Sequence, residues 1–110
     1  MTKITPQSLR ILLAEDHPVN RKLAIRILES AGHQVRWARD GAQALKMYQQ
    51  ESFDLVLLDI QMPIMDGIEA AERIRGLDKK HSRHTPILAM TANAFAEDRE
   101  RCLKAGMDDY

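Results

Sequence analysis

Acidic side chains follow two apolar segments of this sequence, at the points where those segments end. Glu15 and Asp16 follow the run Leu9–Ala14, and Asp59 follows the run Phe53–Leu58. Both runs are short and nearly continuous in apolar residues, which is typical of strands buried on both faces of a parallel sheet. The active crevice of an open α/β sheet lies beyond the carboxyl ends of its strands. We therefore expect the three carboxylates to meet at one edge of a sheet.

Three carboxylates in one crevice predict a bound cation. Two such charges about 5 Å apart repel each other by roughly 3 kcal/mol at an effective dielectric constant of 20, and no nearby residue type neutralises them. Oxygen ligands with open coordination positions suit Mg²⁺, which keeps several waters and often holds a substrate phosphate. The alternative without a bound ion is that the acids only cap the following helices. Capping accounts for Asp40 and Asp66 but not for three acids at adjacent strand ends.

A carboxylate beside Mg²⁺ has a further use, because it can act as a nucleophile towards phosphorus and form an aspartyl phosphate. The metal offsets charge on the phosphoryl oxygens, and positioning supplies most of the remaining catalysis. Thr91 ends another apolar run, Pro86–Met90. Its hydroxyl would donate a hydrogen bond to one of the phosphoryl oxygens.

Helical patterns separate the strands and must position these residues. Pro18 suits the first turn of a helix that ends at Gly32. The stripe predicted for its inner face leaves Ile25 outside and consists of Leu23, Ala24, Ile27, Leu28 and Ala31.

Two further helices begin at Asp40 and Asp66, each with Gln or Glu three residues later in the spacing of a capping box. We expect the second of them to end at Gly76, with residues 77–85 forming a solvated loop. A weaker strand at Val35–Ala38 and a last helix near residues 95–105 complete the order βαβαβαβα. This order predicts a parallel sheet with right-handed crossovers and helices on both faces.

Length and composition limit the classes of protein. The chain has 110 residues, enough for one domain, and 16 Lys and Arg balance 16 Asp and Glu. This neutrality argues against nucleic-acid binding and against a polybasic membrane surface. No apolar run is long enough to span a membrane, and the N-terminus lacks a secretory pattern. The single Cys102 excludes an internal disulfide and fits a reducing compartment, so we expect a cytoplasmic location.

Four segments together resemble the receiver domains of two-component response regulators. In chain order they are LLAED at Leu12–Asp16, LLDIQMPIMDG at Leu57–Gly67, PILAMTA at Pro86–Ala92 and AGMDDY at Ala105–Tyr110. The match keeps order and register from about Leu9 to Tyr110, so residues 1–8 would be an extension or linker and 9–110 the receiver. The segments EDHPVN, MTANA and AGMDDY are most similar to receivers of hybrid sensor histidine kinases.

This resemblance implies a role for each matched site residue. Asp59 would accept a phosphoryl group from phosphohistidine on a kinase or phosphotransfer domain. Asp16, Asp59 and the Gln61 carbonyl would bind Mg²⁺ directly, while Glu15 would act through water. Thr91 would be the switch hydroxyl and Tyr110 the switch aromatic. Gln61 and Asn93 would tune the lifetime of the phosphoryl group.

The resemblance also implies a flavodoxin-like, doubly wound α/β fold with strand order 2-1-3-4-5. Family members continue past the aromatic residue into a fifth strand, bearing a lysine, and a fifth helix. The given sequence stops at Tyr110, so this last unit is missing or cut off, and we expect the natural protein to continue. The exposed edge of the fourth strand would then invite pairing with another chain, including a second copy.

The lead hypothesis is therefore a Mg²⁺-dependent phosphoacceptor rather than a turnover enzyme, belonging to a hybrid histidine kinase that is cytoplasmic or reaches the cytosol from a membrane. The alternative is a non-phosphorylated receiver-like interaction module that docks through the helix around Ile25. A phosphatase that uses aspartyl phosphate would need an acid two residues after Asp59, where Gln61 stands. A flavin-binding module would need Gly, Ser or Thr where this chain has Glu15 and Asp16.

Overall fold

The computed structural model of the chain describes residues 8–90 and 96–108. Within them, strands and helices alternate. The elements are β1 Arg10–Ala14, α1 Pro18–Ser30, β2 Gln34–Ala38, α2 Gly41–Gln50, β3 Leu55–Asp59, α3 Gly67–Lys80, β4 Ile87–Met90 and α4 Ala96–Lys104. The four described strands form one parallel sheet in the order β2-β1-β3-β4, which confirms the predicted α/β class and order.

The register of the sheet brings the ends of the strands together. Ala14, the last residue of β1, pairs with both Ala38 and Leu58. Asp59 pairs with Met90, so β3 and β4 end side by side. The residues that follow β1, β3 and β4 therefore share one edge of the sheet, as the sequence predicts for an open parallel sheet.

The main core lies on the face of the sheet that α2 and α3 cover. Strand residues of this face alternate with residues of the opposite face, as the period of a strand requires. The buried cluster includes Leu12, Ala14, Val56, Leu58, Ile87, Ala44, Tyr48, Ala71 and Ile74. Cys102 of α4 is fully buried in the same cluster, consistent with a packing role.

Helix α1 packs less deeply than its sequence pattern predicts. None of its residues is buried, and the predicted inner residues Leu23 and Ile27 are 57% and 59% exposed. Ile25, predicted to lie outside the stripe, is instead half-buried. The described residues leave the α1 side of β3 and β4 only half covered, and Leu57 and Leu88 are also half-buried there. The stripe therefore lacks a complete packing surface in the described part of the chain.

The first turns of α2 and α3 form as the capping spacing predicts. The Asp40 carboxylate accepts from the Gln43 N–H at 2.7 Å, and the Asp66 carboxylate accepts from the Glu69 N–H at 2.9 Å. Each bond satisfies an amide at a helix start that would otherwise lack a partner.

The predicted end of α3 at Gly76 is wrong, because the helix continues to Lys80. An interior glycine costs a helix only about 1 kcal/mol. A buried carboxylate beyond it offsets that cost. Asp78, 1% exposed, accepts from the Tyr48 hydroxyl, the Thr85 N–H and the Arg75 guanidinium. The segment predicted to be a solvated loop is thus partly the last helical turn.

Arg75 connects α3 to the turn that follows α4. It donates to the Thr85 carbonyl at 2.7 Å, to the Gly106 carbonyl at 2.6 Å and to the Asp108 carboxylate at 2.5 Å. Asp108 also receives the Ile87 N–H at 2.8 Å, so this turn lies beside the start of β4. The cluster fixes the sheet at the end opposite the carboxylates.

No helix of the described part is long and apolar enough to cross a membrane.

Candidate functional site

Three carboxylates converge where β1 and β3 end. Glu15 and Asp16 directly follow β1, and Asp59 is the last residue of β3. One carboxylate oxygen from each residue lies within 4.8 Å of the others. Glu15 is buried, Asp59 is half-buried and Asp16 is exposed, so the group is accessible from solvent on one side.

Backbone amides fix two of these carboxylates. The Gln61 N–H donates to Asp59 Oδ1 at 3.2 Å, and the His17 N–H donates to Glu15 Oε1 at 3.1 Å. Both donors lie two residues after their acceptor, so the chain reverses sharply beyond each strand. These turns keep the carboxylates at the sheet edge rather than in solvent.

Burial and the neighbouring acids together raise the pKa of the Asp59 carboxyl to about 7. Burial of the carboxyl is the largest cause, followed by repulsion from the charge of Glu15. The charge of Asp16 adds to the repulsion, and the Gln61 amide opposes it only in part. Proximity of like charges thus disfavours ionised Asp59, and a divalent cation would reverse this effect.

The carboxylates lie in an open cavity of about 1000 Å³. Its walls come from α1, from the segment after β3, from the end of β4 and from one residue of α4. The lining includes Asn20, Leu23, Gln61, Pro63, Met90 and Arg101. The cavity is large enough for a phosphoryl group with its donor side chain to reach the carboxylates.

The structure therefore brings Glu15, Asp16, Asp59 and Gln61 to one cleft. Thr91, Asn93 and Tyr110 lie outside the described residues. Met90 lines the cleft, and Thr91 follows it directly in the chain.

One contact at the cleft was not expected from the sequence. The Arg21 guanidinium donates to the backbone carbonyl of Glu15 at 3.3 Å and lies 4.0 Å from the centre of the Trp37 ring. This arginine braces the turn between β1 and α1. The sequence indicates this contact only through the position of Arg21 one turn inside α1, because a long side chain there points back over the start of its helix.

The donor set of the cleft fits a hard cation. All three grouped side chains offer carboxylate oxygens. Magnesium prefers oxygen ligands and keeps part of its water shell, which an open cleft permits.

Comparison with known proteins gives consistent matches. A family model described as the response regulator receiver domain matches residues 11–110. Hybrid signal transduction histidine kinase I of Dictyostelium discoideum is 40% identical over 114 residues, which cover 99% of this chain and 6% of that protein. Sensor histidine kinase RcsC of Salmonella typhimurium is 43% identical over 100 residues, covering 91% of this chain and 10% of RcsC. The chain thus spans only a small part of these relatives.

Solved structures show the same similarity in three dimensions. The receiver domain of the sensor histidine kinase PA1611 from Pseudomonas aeruginosa has a magnesium ion coordinated in its active-site cleft. It is 40% identical with a TM-score of 0.84, covering 94% of this chain and 84% of its own. A co-crystal structure joins the Saccharomyces cerevisiae phosphotransfer protein Ypd1 and the receiver domain of Ssk1. It matches at 27% identity and a TM-score of 0.89, covering 98% of this chain and 79% of the matched chain.

Proposed function

Because the chain belongs to the response regulator receiver domain family, we propose that its Asp59 accepts a phosphoryl group from phosphohistidine in a Mg²⁺-dependent reaction. The single observation that carries this proposal is the cluster of Glu15, Asp16 and Asp59 within 4.8 Å in an open cleft. The alternative of a non-phosphorylated interaction module gains no support, since this chain keeps all three carboxylates.

Asp16, Asp59 and the Gln61 carbonyl would hold Mg²⁺, and Glu15 would act through water. When bound, the ion supplies positive charge against the phosphoryl oxygens and the carboxylates. The match to a receiver domain with magnesium in its active-site cleft, that of PA1611, supports a magnesium site here. The grouped side chains of this chain offer only oxygen donors, which Mg²⁺ prefers.

The transfer itself is a substitution at phosphorus. An Asp59 oxygen forms a bond to phosphorus while the N–P bond of phosphohistidine breaks, and the imidazole nitrogen takes the electron pair of that bond. Asp59 must be ionised to attack. Burial and the charge of Glu15 raise its pKa to about 7, so the positive charge of a bound cation would favour the ionised form. The Gln61 N–H, 3.2 Å from Asp59 Oδ1, orients the carboxylate for this step.

Thr91 is proposed to donate its hydroxyl to the new phosphoryl group, and Tyr110 to turn inward in response. Gln61 and Asn93, each two residues beyond a reacting position, are proposed to set the lifetime of the phosphoryl group. The position of Thr91 directly after the cleft residue Met90 supports the first of these roles.

The partner is proposed to be a histidine kinase or a histidine phosphotransfer domain, as in the Ypd1 co-crystal structure. The high identity to hybrid kinases supports an origin in such a protein, with residues 9–110 as the receiver and 1–8 as a linker. The domain would then lie in the cytoplasm.

Labelling experiments test the central proposal. Acetyl phosphate with Mg²⁺ should add one phosphoryl group to a chain that includes the expected fifth strand and helix, and phosphate-affinity electrophoresis or intact mass detects it. Asp59→Asn should abolish labelling, while Asp54→Asn, at an exposed position before β3, should not. Equal labelling of the Asp59→Asn chain would show that the assignment is wrong.

We further propose that the outer edge of β4 pairs with a second copy of the chain, because β4 is the outermost described strand on its side of the sheet. Sedimentation across a range of concentrations tests this, and a strictly monomeric chain would contradict it.

The balanced charge of 16 basic and 16 acidic residues supports the absence of nucleic-acid binding. Fluorescence anisotropy with labelled DNA and RNA tests that statement.

A further inference from the structure

The turn that follows the phosphoacceptor strand holds a rare backbone conformation at Ile64. Its φ is 70°, and the Met65 N–H donates to the Pro63 carbonyl at 2.7 Å across it. A hydrogen bond from residue i+2 to residue i around a positive φ defines the classic γ-turn, which is rare and strained. The strain is greatest for a β-branched side chain, which seldom adopts positive φ.

Close backbone contacts at both ends impose this conformation. The Gly41 N–H at the start of α2 donates to the Met65 carbonyl at 2.8 Å, and a Cβ on Gly41 would lie 2.3 Å from that oxygen. The Gly67 N–H donates to the Ile60 carbonyl at 3.0 Å, and a Cβ on Gly67 would lie 2.2 Å from the Asp59 carbonyl oxygen. The turn is therefore held between α2 and β3, and Ile64 cannot relax.

The side chain of Ile64 gains nothing from the core in return. It is 83% exposed, more than any other large hydrophobic residue in the described part of the chain. An isoleucine here is therefore unfavourable for the folded domain on two counts, strain and exposure. Such residues persist where the surrounding structure imposes them, and they are concentrated at functional sites.

Ile64 directly follows a residue that lines the acidic cleft. Its neighbour Pro63 lines the cleft together with Asp59. On the α1 side, Val19 and Leu23 are 67% and 57% exposed, and Leu23 lines the same cavity. Exposed apolar side chains thus lie near the acidic centre both on α1 and in the turn after β3. A protein that brings phosphohistidine to Asp59 must approach these exposed apolar side chains. Burying them against an apolar surface of the donor would hold the two proteins together during transfer.

Resting on the proposed transfer to Asp59, we propose that Ile64 is an apolar anchor that docks into a hydrophobic pocket beside the phosphohistidine of the donor protein. The strained turn presents the side chain rigidly, so little conformational freedom is lost when it is buried. Ile64 is thus a positioning residue for protein donors and has no part in phosphorylation by small molecules.

Two donors separate these roles. Acetyl phosphate and phosphorylated Ypd1 serve as the small and the protein donor for the unchanged chain, Ile64→Asn and Ile64→Leu. Ile64→Asn should slow transfer from phosphorylated Ypd1 about tenfold, the effect of losing one buried apolar side chain. Labelling by acetyl phosphate should not change. Ile64→Leu keeps an apolar side chain and should retain most of the transfer rate.

Stability supplies an independent readout. Asparagine tolerates positive φ, so Ile64→Asn should raise the melting temperature by about 4–8 °C while weakening transfer. Leu103→Gln, at a 46% exposed position near the far end of α4, is the matched control and should alter neither donor reaction. A loss that is equal for both donors, or no loss with phosphorylated Ypd1, would overturn the proposal.

Binding measurements separate docking through Ile64 from transfer of the phosphoryl group to Asp59. Calorimetry with unphosphorylated Ypd1 should show weaker binding for Ile64→Asn than for the unchanged chain. If acetyl phosphate fails to label the unchanged chain, the proposed phosphoacceptor function is wrong, whereas this binding difference still supports the anchor. Absence of Ypd1 binding to the unchanged chain would refute the anchor for this class of partner.

Discussion

Replacing Asp59 by asparagine should stabilise the metal-free domain, because it removes one charge from a repelling cluster. The carboxylate oxygens of Glu15, Asp16 and Asp59 lie within 4.8 Å of one another. At that separation and an effective dielectric constant of 20, each ionised pair repels by about 3 kcal/mol. Asp59 is only half-buried, so solvent screening reduces the expected gain in unfolding free energy to about 1–2 kcal/mol.

The gain should depend on pH in a defined direction. The pKa of Asp59 is raised from 3.8 to about 7 in the folded chain, through burial first and then the charge of Glu15. The unfolded chain therefore releases its proton at lower pH than the folded chain does. The folded state loses stability as the pH rises from about 4 to about 7, and the loss is complete above that range. The advantage of Asp59→Asn should accordingly be larger at pH 8 than at pH 5.

Thermal unfolding in the presence of a chelator measures this effect. For a domain of this size, 1 kcal/mol corresponds to about 4–8 °C, so the variant should melt at least about 4 °C higher at pH 8. Adding Mg²⁺ at pH 8 should raise the melting temperature of the unchanged chain more than that of Asp59→Asn, since the ion binds the carboxylates of the folded state.

Glu72→Gln removes an exposed charge on α3 and is the control for net charge; its melting temperature should stay close to that of the unchanged chain. An Asp59→Asn chain that melts at the same or a lower temperature at pH 8 would refute the electrostatic reasoning. A gain of equal size at pH 5 and pH 8 would refute the assigned pKa direction.

Four further substitutions test the scaffold. Gly67→Ala would place a Cβ 2.2 Å from the carbonyl oxygen of the last β3 residue, so it should destabilise the domain and slow labelling by acetyl phosphate. A Cβ on Gly76 would have nothing within 4 Å. Gly76→Ala should therefore stabilise the domain by about 1 kcal/mol in urea unfolding. Asp78→Asn should cost about 3 kcal/mol in the same assay, because it leaves buried partners such as the Tyr48 hydroxyl poorly matched. Asp108 and Asp78 have pKa values held low by hydrogen bonds that outweigh burial. Their stabilisation is therefore present above pH 4 and lost on acidification, and Asp108→Asn should flatten the acid limb of a stability–pH profile.

Local signals explain which parts of the fold were predictable. The strands appear as apolar runs because both faces of a parallel sheet are covered, and the caps at Asp40 and Asp66 depend on neighbours three residues away. The strand order followed from the family resemblance. The end of α3 was not predictable from Gly76, because Asp78 bonds to Tyr48, 30 residues away in the chain, and to Thr85 beyond the end of the helix.

The candidate site, like the fold, was predictable from the sequence only in part. The sequence by itself determined which residues carry oxygen ligands and that β1 and β3 end in acids, since residue type and strand pattern are local properties. Only the tertiary structure decided that these oxygens lie within 4.8 Å, that Asp59 has a raised pKa and that Ile64 is strained and exposed. Each of those properties depends on distances and burial between segments far apart in the chain, and these are set only when the sheet register and the packing of α1 and α2 are formed.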